Sequence, residues 1–167
     1  MITVKVSKTR TFAIVLMWVM AIYYFGVISA FSAQVANASS KESSRIVTAL
    51  MDILSRVWTF RDYDTAFSNL QFIVRKLAHF TNFFILGFLY CMLANTLCGE
   101  EKLVFSAVCA ALICGLCAAA LDEWHQYFVP GRSAEVRDVC IDFSGVSLGC
   151  IIFTLLRIIF TRKFFSH

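Results

Sequence analysis

Residues 121–142 read LDEWHQYFVPGRSAEVRDVCID, and this polar stretch separates two strongly apolar segments. Two adjacent carboxylates, Asp122 and Glu123, stand at the end of the preceding apolar segment, and Asp138 and Asp142 open the following one. The only proline of the chain lies between these two pairs and indicates a turn. Charged groups at the edge of a membrane are energetically costly, and residues kept there at that cost usually serve a function.

The composition around this stretch is that of a membrane protein. Hydrophobic residues make up 59% of the 167 residues and charged residues only 16%, with 17 phenylalanines. Soluble domains average roughly 45–50% apolar and about 25% charged residues. The composition therefore predicts an integral membrane protein, and the length predicts one domain over residues 1–167 without a separate soluble part.

Four apolar runs are long enough to cross a hydrocarbon core about 30 Å thick, which takes about 20 helical residues. They cover about residues 12–31, 77–97, 103–121 and 139–160. The first run follows basic residues, as a signal peptide does, but it is longer than the roughly 7–15 apolar residues of a signal sequence. It is predicted to be a retained anchor, and the fold class is predicted to be all-α, an integral membrane four-helix bundle.

The interval between spans one and two contains an amphipathic segment at about residues 40–60. Ser39 and Glu42 have the spacing of a helix capping box, and apolar residues follow at helical spacing. The pattern predicts an amphipathic extracytoplasmic helix that lies on the membrane surface; a lid packed on the bundle is the alternative. The apolar stripe consists of Ile46, Val47, Leu50, Ile53, Leu54, Val57 and Trp58.

Polar and small residues share single faces of the last three predicted spans. Residues three or four apart lie on the same side of a helix, and small residues let a neighbouring helix approach closely. The faces are Lys76, His79, Phe83, Leu86 and Tyr90 in span two, Ala111, Gly115, Ala118, Ala119 and Asp122 in span three, and Asp138, Asp142, Gly145 and Gly149 in span four.

The formal net charge of +4 collects at the membrane flanks, so it does not indicate a nucleic-acid partner. Four spans place both termini on one side, and the positive-inside rule then predicts that both are cytoplasmic. Arg75 and Lys76 run against this rule, because they would lie outside. The flanking basic residues are Lys5, Lys8 and Arg10 at the front and Arg157, Arg162 and Lys163 at the back.

Whatever the orientation, the start of span two, the end of span three and the start of span four lie on one membrane face. With cytoplasmic termini, that face is extracytoplasmic. The polar residues predicted to converge there are Arg75, Lys76, His79, Asp122, Glu123, Gln126, Arg132, Asp138 and Asp142.

This set of side chains suits the binding of an anionic headgroup. Arg75, Lys76 and Arg132 supply donors, and arginine can pair bidentately with phosphate. Gln126, Asp138 and Asp142 would complete the polar network as ligand-binding residues. The alternative is that Arg132 and Arg75 only neutralise Asp138 and Asp122 as structural ion pairs.

Catalysis and metal binding are two further interpretations. Asp122 or Glu123 together with His79 could activate water or a substrate hydroxyl, so these three are the catalytic candidates if the protein is an enzyme. Ser133 has no identifiable partner as a nucleophile, and the sequence contains neither GxSxG nor a P-loop. No spacing such as HExxH selects an ion, so neither a metal nor a cofactor is predicted. Candidate metal ligands would be His79, Asp122, Glu123, His125, Asp138 and Asp142.

Four separated blocks of the sequence, in order, resemble the VanZ-like family of small bacterial membrane proteins. The resemblance spans roughly Trp18 to Gly149, with two departures: Phe83 stands where the family has a tyrosine, and Asp142 where it often has asparagine. The blocks are Phe31-Ser32-Ala33-Gln34 with Ser40 and Ser44, Arg75-Lys76-x-x-His79-Phe80 with Leu86-Gly87, Asp122-Glu123-x-x-Gln126-x-Phe128-x-Pro130-Gly131-Arg132, and Asp138-Val139-x-x-Asp142-x-x-Gly145-x-x-x-Gly149.

The resemblance implies a four-span protein of the bacterial plasma membrane, of a type named for low-level resistance to the glycopeptide teicoplanin, with no settled activity. Teicoplanin binds cell-wall precursor peptides outside the membrane and carries a lipid tail. We therefore expect an outward polar pocket that binds an amphiphile: a lipid-linked cell-wall precursor, a phospholipid headgroup or a lipoglycopeptide. The alternatives are a membrane-embedded hydrolase or transferase acting on such a lipid, and a polar cluster that only stabilises the bundle.

Overall fold

The computed structural model describes residues 8–32, 36–98, 104–132 and 134–165, and these residues form five helices and no strand. Four of the helices are long and apolar enough to cross a membrane, which confirms the predicted all-α membrane fold. The second helix, the amphipathic one, precedes the second span, as predicted. The helices are α1 (Lys8–Ser32), α2 (Ala36–Leu54), α3 (Tyr63–Cys98), α4 (Val104–Tyr127) and α5 (Val136–Phe165).

Helices α3 and α5 approach each other closely along a glycine seam. A Cβ atom added at Gly145 would overlap the carbonyl oxygen of Phe80, and one at Gly149 would overlap that of Phe84. From the other side, a Cβ at Gly87 would overlap the backbone of α5. Because only hydrogen atoms fit between the two backbones, these glycines set the distance between α3 and α5.

The apolar core lies between α3, α4 and α5 and is completed by Ile28 of α1. Phe83 and Val146 are fully buried, and a Cβ at Gly115 would overlap the Val146 side chain. Phe83 stands where the family resemblance suggests a tyrosine, and its ring sits in this apolar cluster, where a hydroxyl would need a buried partner. The predicted small-residue face of α4 is buried throughout: Ala111, Gly115, Ala118, Ala119 and Asp122.

The helices continue beyond the apolar runs from which the spans were predicted. Helix α3 begins at Tyr63 rather than at residue 77, α4 continues to Tyr127 rather than ending at residue 121, and α5 covers Val136–Phe165 rather than 139–160. The 36 residues of α3 measure about 54 Å at about 1.5 Å per residue, against a hydrocarbon core of about 30 Å. Hydropathy therefore locates the part of a helix that lies within the hydrocarbon core of the membrane, but it does not locate the ends of the helix.

The early start of α3 has a local cause at Asp62. One of its carboxylate oxygens accepts a hydrogen bond from the Thr65 backbone N–H at 3.2 Å, and the other accepts one from the Thr65 hydroxyl at 2.6 Å. This is the arrangement of a helix N-cap, in which an aspartate satisfies a free N–H of the first turn. The hydrogen bonds to Thr65 lower the pKa of the exposed Asp62 carboxyl.

Helix α2 packs along the amino-terminal part of α3. Val47 and Met51 are fully buried, and Gln71 of α3 donates a hydrogen bond to the Ser44 hydroxyl at 2.9 Å. The other side chains of the predicted apolar stripe remain exposed, so α2 combines both predicted arrangements: it is packed on the bundle and still presents an apolar surface. The exposed members are Ile46, Leu50, Ile53, Leu54, Val57 and Trp58.

The bounds of α2 differ from the prediction. The helix runs from Ala36 to Leu54, whereas the amphipathic segment was predicted at about residues 40–60. Ser39 therefore lies inside the helix, and the predicted capping box is wrong. Alanines at positions 36 and 38 have the highest helix propensity, so the helix includes these residues before Ser39.

Candidate functional site

A cavity of about 450 Å³ lies where the end of α1, the first half of α3, the end of α4 and the start of α5 meet, with α2 along one side. Its volume is within the roughly 300–1,000 Å³ of typical ligand sites. Its polar lining consists of Ser32, Ser43, Arg75, Lys76, His79, Asn82, Gln126, Arg132, Glu135, Asp138 and Asp142, and its apolar lining of Ile28, Phe31, Ile46, Phe72, Val74, Ala78 and Ile141, with Gly131 at the turn.

The structure brings seven of the nine polar residues predicted to converge to the wall of this cavity. Asp122 lies behind the wall, buried, and is connected to it through Gln126. Glu123 is also buried but faces the segment that precedes α5. The seven lining residues are Arg75, Lys76, His79, Gln126, Arg132, Asp138 and Asp142.

Asp122 is the centre of a hydrogen-bond chain that joins three parts of the protein. Its Oδ2 atom accepts from the Ser32 hydroxyl and from the Gln126 side-chain amide, each at 2.8 Å. The side-chain Oε1 atom of Gln126 in turn accepts a hydrogen bond from the Arg132 guanidinium at 3.1 Å. Gln126 follows Asp122 by one helical turn, so the chain exists because α4 continues past its apolar run.

The turn after α4 brings Arg132 back to the cavity. The Arg132 backbone N–H donates to the Val129 carbonyl at 3.1 Å, and Gly131 has a φ of 79°. With Pro130 in the second position and a positive φ in the third, residues 129–132 form a type II turn, which favours glycine there. Burial, and then the positive charge of Arg75, lower the pKa of the Arg132 guanidinium from its ordinary value.

Lys76 and His79 of α3 face two carboxylates of α5 across the glycine seam. Lys76 is paired with Asp138, and His79 Nδ1 lies 3.7 Å from Asp142 Oδ2. The sequence suggested that Arg132 and Arg75 neutralise Asp138 and Asp122. Instead, Asp138 is paired with Lys76. Asp122 accepts hydrogen bonds from two neutral groups, the Ser32 hydroxyl and the Gln126 amide. Arg75 Nε is buried and has no hydrogen-bond partner among the described residues.

Glu123 holds the segment that leads into α5. Its Oε1 atom accepts the Glu135 backbone N–H at 2.6 Å, and the Glu135 carbonyl then accepts the Asp138 N–H at 2.8 Å as α5 begins. Glu123 is thereby placed to position the start of α5 rather than to reach the cavity. Its catalytic role stays a prediction, as does that of Asp122 and His79.

His79, Asp122 and Asp142 form a compact group of potential metal ligands. One ligating atom of each lies within 4.8 Å of the other two. Asp122 Oδ1 and Asp142 Oδ2 are buried and have no hydrogen-bond partner in the part of the chain that the structure describes. The other sequence candidates lie outside this group: Glu123 is bonded to the backbone, Asp138 is paired with Lys76, and His125 is exposed.

Sequence reasoning missed some of the residues that build the site. Ser32 was noted only within a block of the family resemblance, which was the available signal for it. Asn82 lies three residues after His79 on the same face, lines the cavity, and accepts a hydrogen bond from Tyr24 at 3.2 Å. Glu135 contributes through its backbone N–H, for which side-chain patterns hold no signal. Ser133 lies outside the described residues.

Comparison with known protein families finds a match that covers most of the chain. The family model described as VanZ/LLP1 matches residues 12–157, which include every residue that lines the cavity. No curated protein and no solved structure is significantly similar to the chain.

Proposed function

Because the chain belongs to the VanZ/LLP1 family, we propose that this membrane protein acts in the bacterial cell envelope, where its cavity binds the anionic headgroup of an amphiphile. The observation that carries the proposal is a cavity in which three basic side chains stand beside apolar ones. Arg75, Lys76 and Arg132 supply positive charge, and α1, α2 and α3 supply apolar side chains. The same lining also includes neutral polar groups and the carboxylates of Glu135, Asp138 and Asp142. An amphiphile presents the same combination of a charged head and apolar chains.

The arginine pair supports an anion as the recognised group. Burial and then the positive charge of Arg75 lower the pKa of the Arg132 guanidinium, whereas the nearby carboxylates Asp122, Glu123 and Asp138 oppose this shift, so the two guanidinium groups lie close enough to repel each other. Arg75 Nε is buried without a hydrogen-bond partner among the described atoms, which leaves a donor for a ligand. A phosphate or carboxylate between the arginines would relieve the repulsion and accept charge-assisted hydrogen bonds.

The distribution of basic residues supports an outward-facing cavity in the plasma membrane. Lys8 and Arg10 open α1, and Arg162 and Lys163 lie near the end of α5, at the opposite end of these helices from the cavity. With four spans, the positive-inside rule then assigns both termini to the cytoplasm. The cavity would meet lipid-linked cell-wall precursors, phospholipid headgroups and lipoglycopeptides such as teicoplanin in the outer leaflet.

The proposal is tested by native mass spectrometry of the purified protein with added phosphatidylglycerol, and with phosphatidylcholine as the zwitterionic control. We expect preference for the anionic lipid, and Arg132→Ala to weaken its binding about tenfold, because a hydrogen bond to a charged group contributes about 1.5–3 kcal/mol. Arg137→Ala is the matched control, since Arg137 is exposed and bonded to Glu135. Equal binding of both lipids, or equal loss in both variants, contradicts the proposal.

A second candidate is a membrane-embedded hydrolase or transferase acting on such a lipid. The observation that favours it is the His79 imidazole beside the Asp142 carboxylate in the cavity wall, since a carboxylate can orient a histidine that acts as a general base. For this function, His79→Gln would abolish conversion of the bound lipid, while the variant would still bind the lipid. Mass spectrometry of the bound lipid measures both. Lipid recovered unchanged from the wild-type protein argues against it.

A further inference from the structure

Three helices each contribute one potential metal ligand to a compact group beside the cavity: His79 from α3, Asp122 from α4 and Asp142 from α5. We propose that these three side chains bind a divalent transition-metal ion. The inference is independent of the proposed function, because it concerns the ion alone and not the occupant of the cavity.

The spacing of the group suits coordination better than direct hydrogen bonding. His79 Nδ1 and Asp142 Oδ2 are 3.7 Å apart, and one ligating atom of each of the three residues lies within 4.8 Å of the others. Two ligands on a tetrahedral Zn²⁺, each at about 2.0–2.2 Å, are separated by about 3.4 Å. A direct hydrogen bond would instead require about 2.7–3.2 Å. Small side-chain rotations would bring the ligating atoms of His79, Asp122 and Asp142 to coordination distance from one ion.

Two buried carboxylate oxygens support a cation site independently of the spacing. Asp122 and Asp142 are each only 1% exposed. Asp122 Oδ1 and Asp142 Oδ2 have no hydrogen-bond partner in the described ranges, and Asp142 Oδ2 is the very atom that faces His79. Burying a carboxylate without pairing it is strongly unfavourable. Lys76, which lines the cavity, is paired with Asp138. A divalent ion would satisfy both oxygens and neutralise both charges.

The surroundings hold the ligands as an outer coordination shell does. Ser32 and Gln126 both donate to Oδ2 of Asp122, which fixes the carboxylate and leaves Oδ1 open. Second-shell hydrogen bonds of this kind orient ligands in metalloproteins. Asp142 lies one turn before Gly145, where α5 is in close contact with the α3 backbone, so the spacing of the two helices is set beside this ligand.

The ligand types select the class of ion. One imidazole nitrogen with two carboxylate oxygens suits Zn²⁺, Mn²⁺ or Fe²⁺, whereas Ca²⁺ and Mg²⁺ favour sites built from oxygen alone. His79 and Asp142 both line the cavity, so the remaining coordination positions would face it. Three protein ligands with an open position are typical of sites at which a metal also binds water or a substrate.

Zinc binding is measured on the full chain in detergent, after removal of any purification tag and of bound metal with EDTA. The expected result is about one Zn²⁺ per chain, with affinity lowered about 100-fold or more in His79→Gln and Asp142→Asn, because the loss of a ligand exceeds the 10–100-fold cost of second-shell changes. His125→Ala is the matched control and should retain binding, because His125 is exposed and lies outside the group. Absence of zinc binding by the wild-type protein, which needs no variant to be folded, overturns the proposal. So does equal binding in all variants.

Cobalt spectroscopy shows whether residue 79 is itself a ligand. With Co²⁺ in place of Zn²⁺, His79→Cys should gain a thiolate-to-cobalt charge-transfer band in the near ultraviolet that the wild-type protein lacks. His125→Cys is the control and should gain none. Cobalt bands in the wild-type protein that are identical in both variants would place the ion elsewhere and overturn the assignment.

Discussion

The Ser32 hydroxyl of α1 donates a hydrogen bond to the Asp122 carboxylate of α4 at 2.8 Å. Both residues are 1% exposed, and 90 positions of sequence separate them. The bond ties the end of the first span to the end of the third, at the level of the cavity. Since α1 contributes few other buried side chains, this contact is a principal polar attachment of α1 to the bundle.

Ser32→Ala should destabilise the protein by about 1–3 kcal/mol, because it removes one of the two donors of a buried carboxylate oxygen. Thermal unfolding in detergent, followed by circular dichroism, measures the change. Ser144→Ala is the matched control: Ser144 is exposed, and its hydroxyl donates only to the Ile141 carbonyl of its own turn. Equal melting temperatures for the two variants would show that the Ser32–Asp122 bond does not contribute.

Gly149→Ala should destabilise the bundle by about 1–3 kcal/mol, because the added methyl group overlaps the Phe84 carbonyl and overpacks the α3–α5 contact. Gly26→Ala is the opposite case, since nothing lies within 4 Å of a Cβ at Gly26. There alanine should stabilise α1 by about 0.5–1 kcal/mol through its higher helix propensity. Both shifts are read from thermal unfolding, and a neutral Gly149→Ala would contradict the close approach of the two backbones.

The Lys76–Asp138 pair should show a coupling energy of about 0.5–3 kcal/mol in a double-mutant cycle. Lys76→Met alone leaves a mostly buried carboxylate unpaired, and Asp138→Asn alone leaves the ammonium unpaired, whereas the double variant removes both charges. The double variant should therefore be less destabilised than the sum of the single changes. Unfolding free energies that add without coupling would show that the two charges do not interact in the membrane protein.

The first turn of α3 should depend on pH through Asp62. Hydrogen bonds from Thr65 lower the pKa of this carboxyl from the usual 3.8, so its stabilising contribution is fully present above pH 3.8 and is lost as the pH falls through the lower, folded-state pKa. The measurement is hydrogen exchange of the first-turn amides of α3, corrected for intrinsic exchange, at decreasing pH.

Two substitutions at this position separate capping from titration. Asp62→Asn should keep the protection and lose its pH dependence, because asparagine caps helices about as well as aspartate but does not ionise. Asp62→Ala should lose the protection at every pH. If the wild-type protein and Asp62→Asn respond to acid in the same way, another group controls this helix end.

Much of the fold follows from patterns that the membrane imposes on sequence. Hydropathy located the four spans, and helical periodicity identified Gly145 and Gly149 as a packing face and Gly115 as part of another. These features are local, since each depends on residues within one helix. The start of α3 at Tyr63 could not be obtained in this way, because a helical extension beyond the hydrocarbon core carries no hydropathy signal.

The partners within the site were the part that sequence could not provide. Asp138 is paired with Lys76 rather than with arginine, and which basic residue reaches it depends on the crossing of α3 and α5. The partner of Asp122 lies 90 residues away in α1. Glu123 bonds to a backbone N–H, which every residue other than proline possesses. Tertiary geometry determines which partner each of these carboxylates has, and the residue types at a helix end do not predict that partner.

The arrangement of charges across the glycine seam has a consequence for biosynthesis. Lys76 and His79 leave the ribosome in α3, well before their carboxylate partners Asp138 and Asp142 in α5. Until α5 inserts, the Lys76 ammonium and the His79 imidazole face lipid or the translocation machinery at a cost in free energy. Arrival of the helix that carries both acids removes this cost and brings the glycine seam together. Until α5 is in place, the cavity therefore lacks the part of its wall that Asp138, Ile141 and Asp142 form.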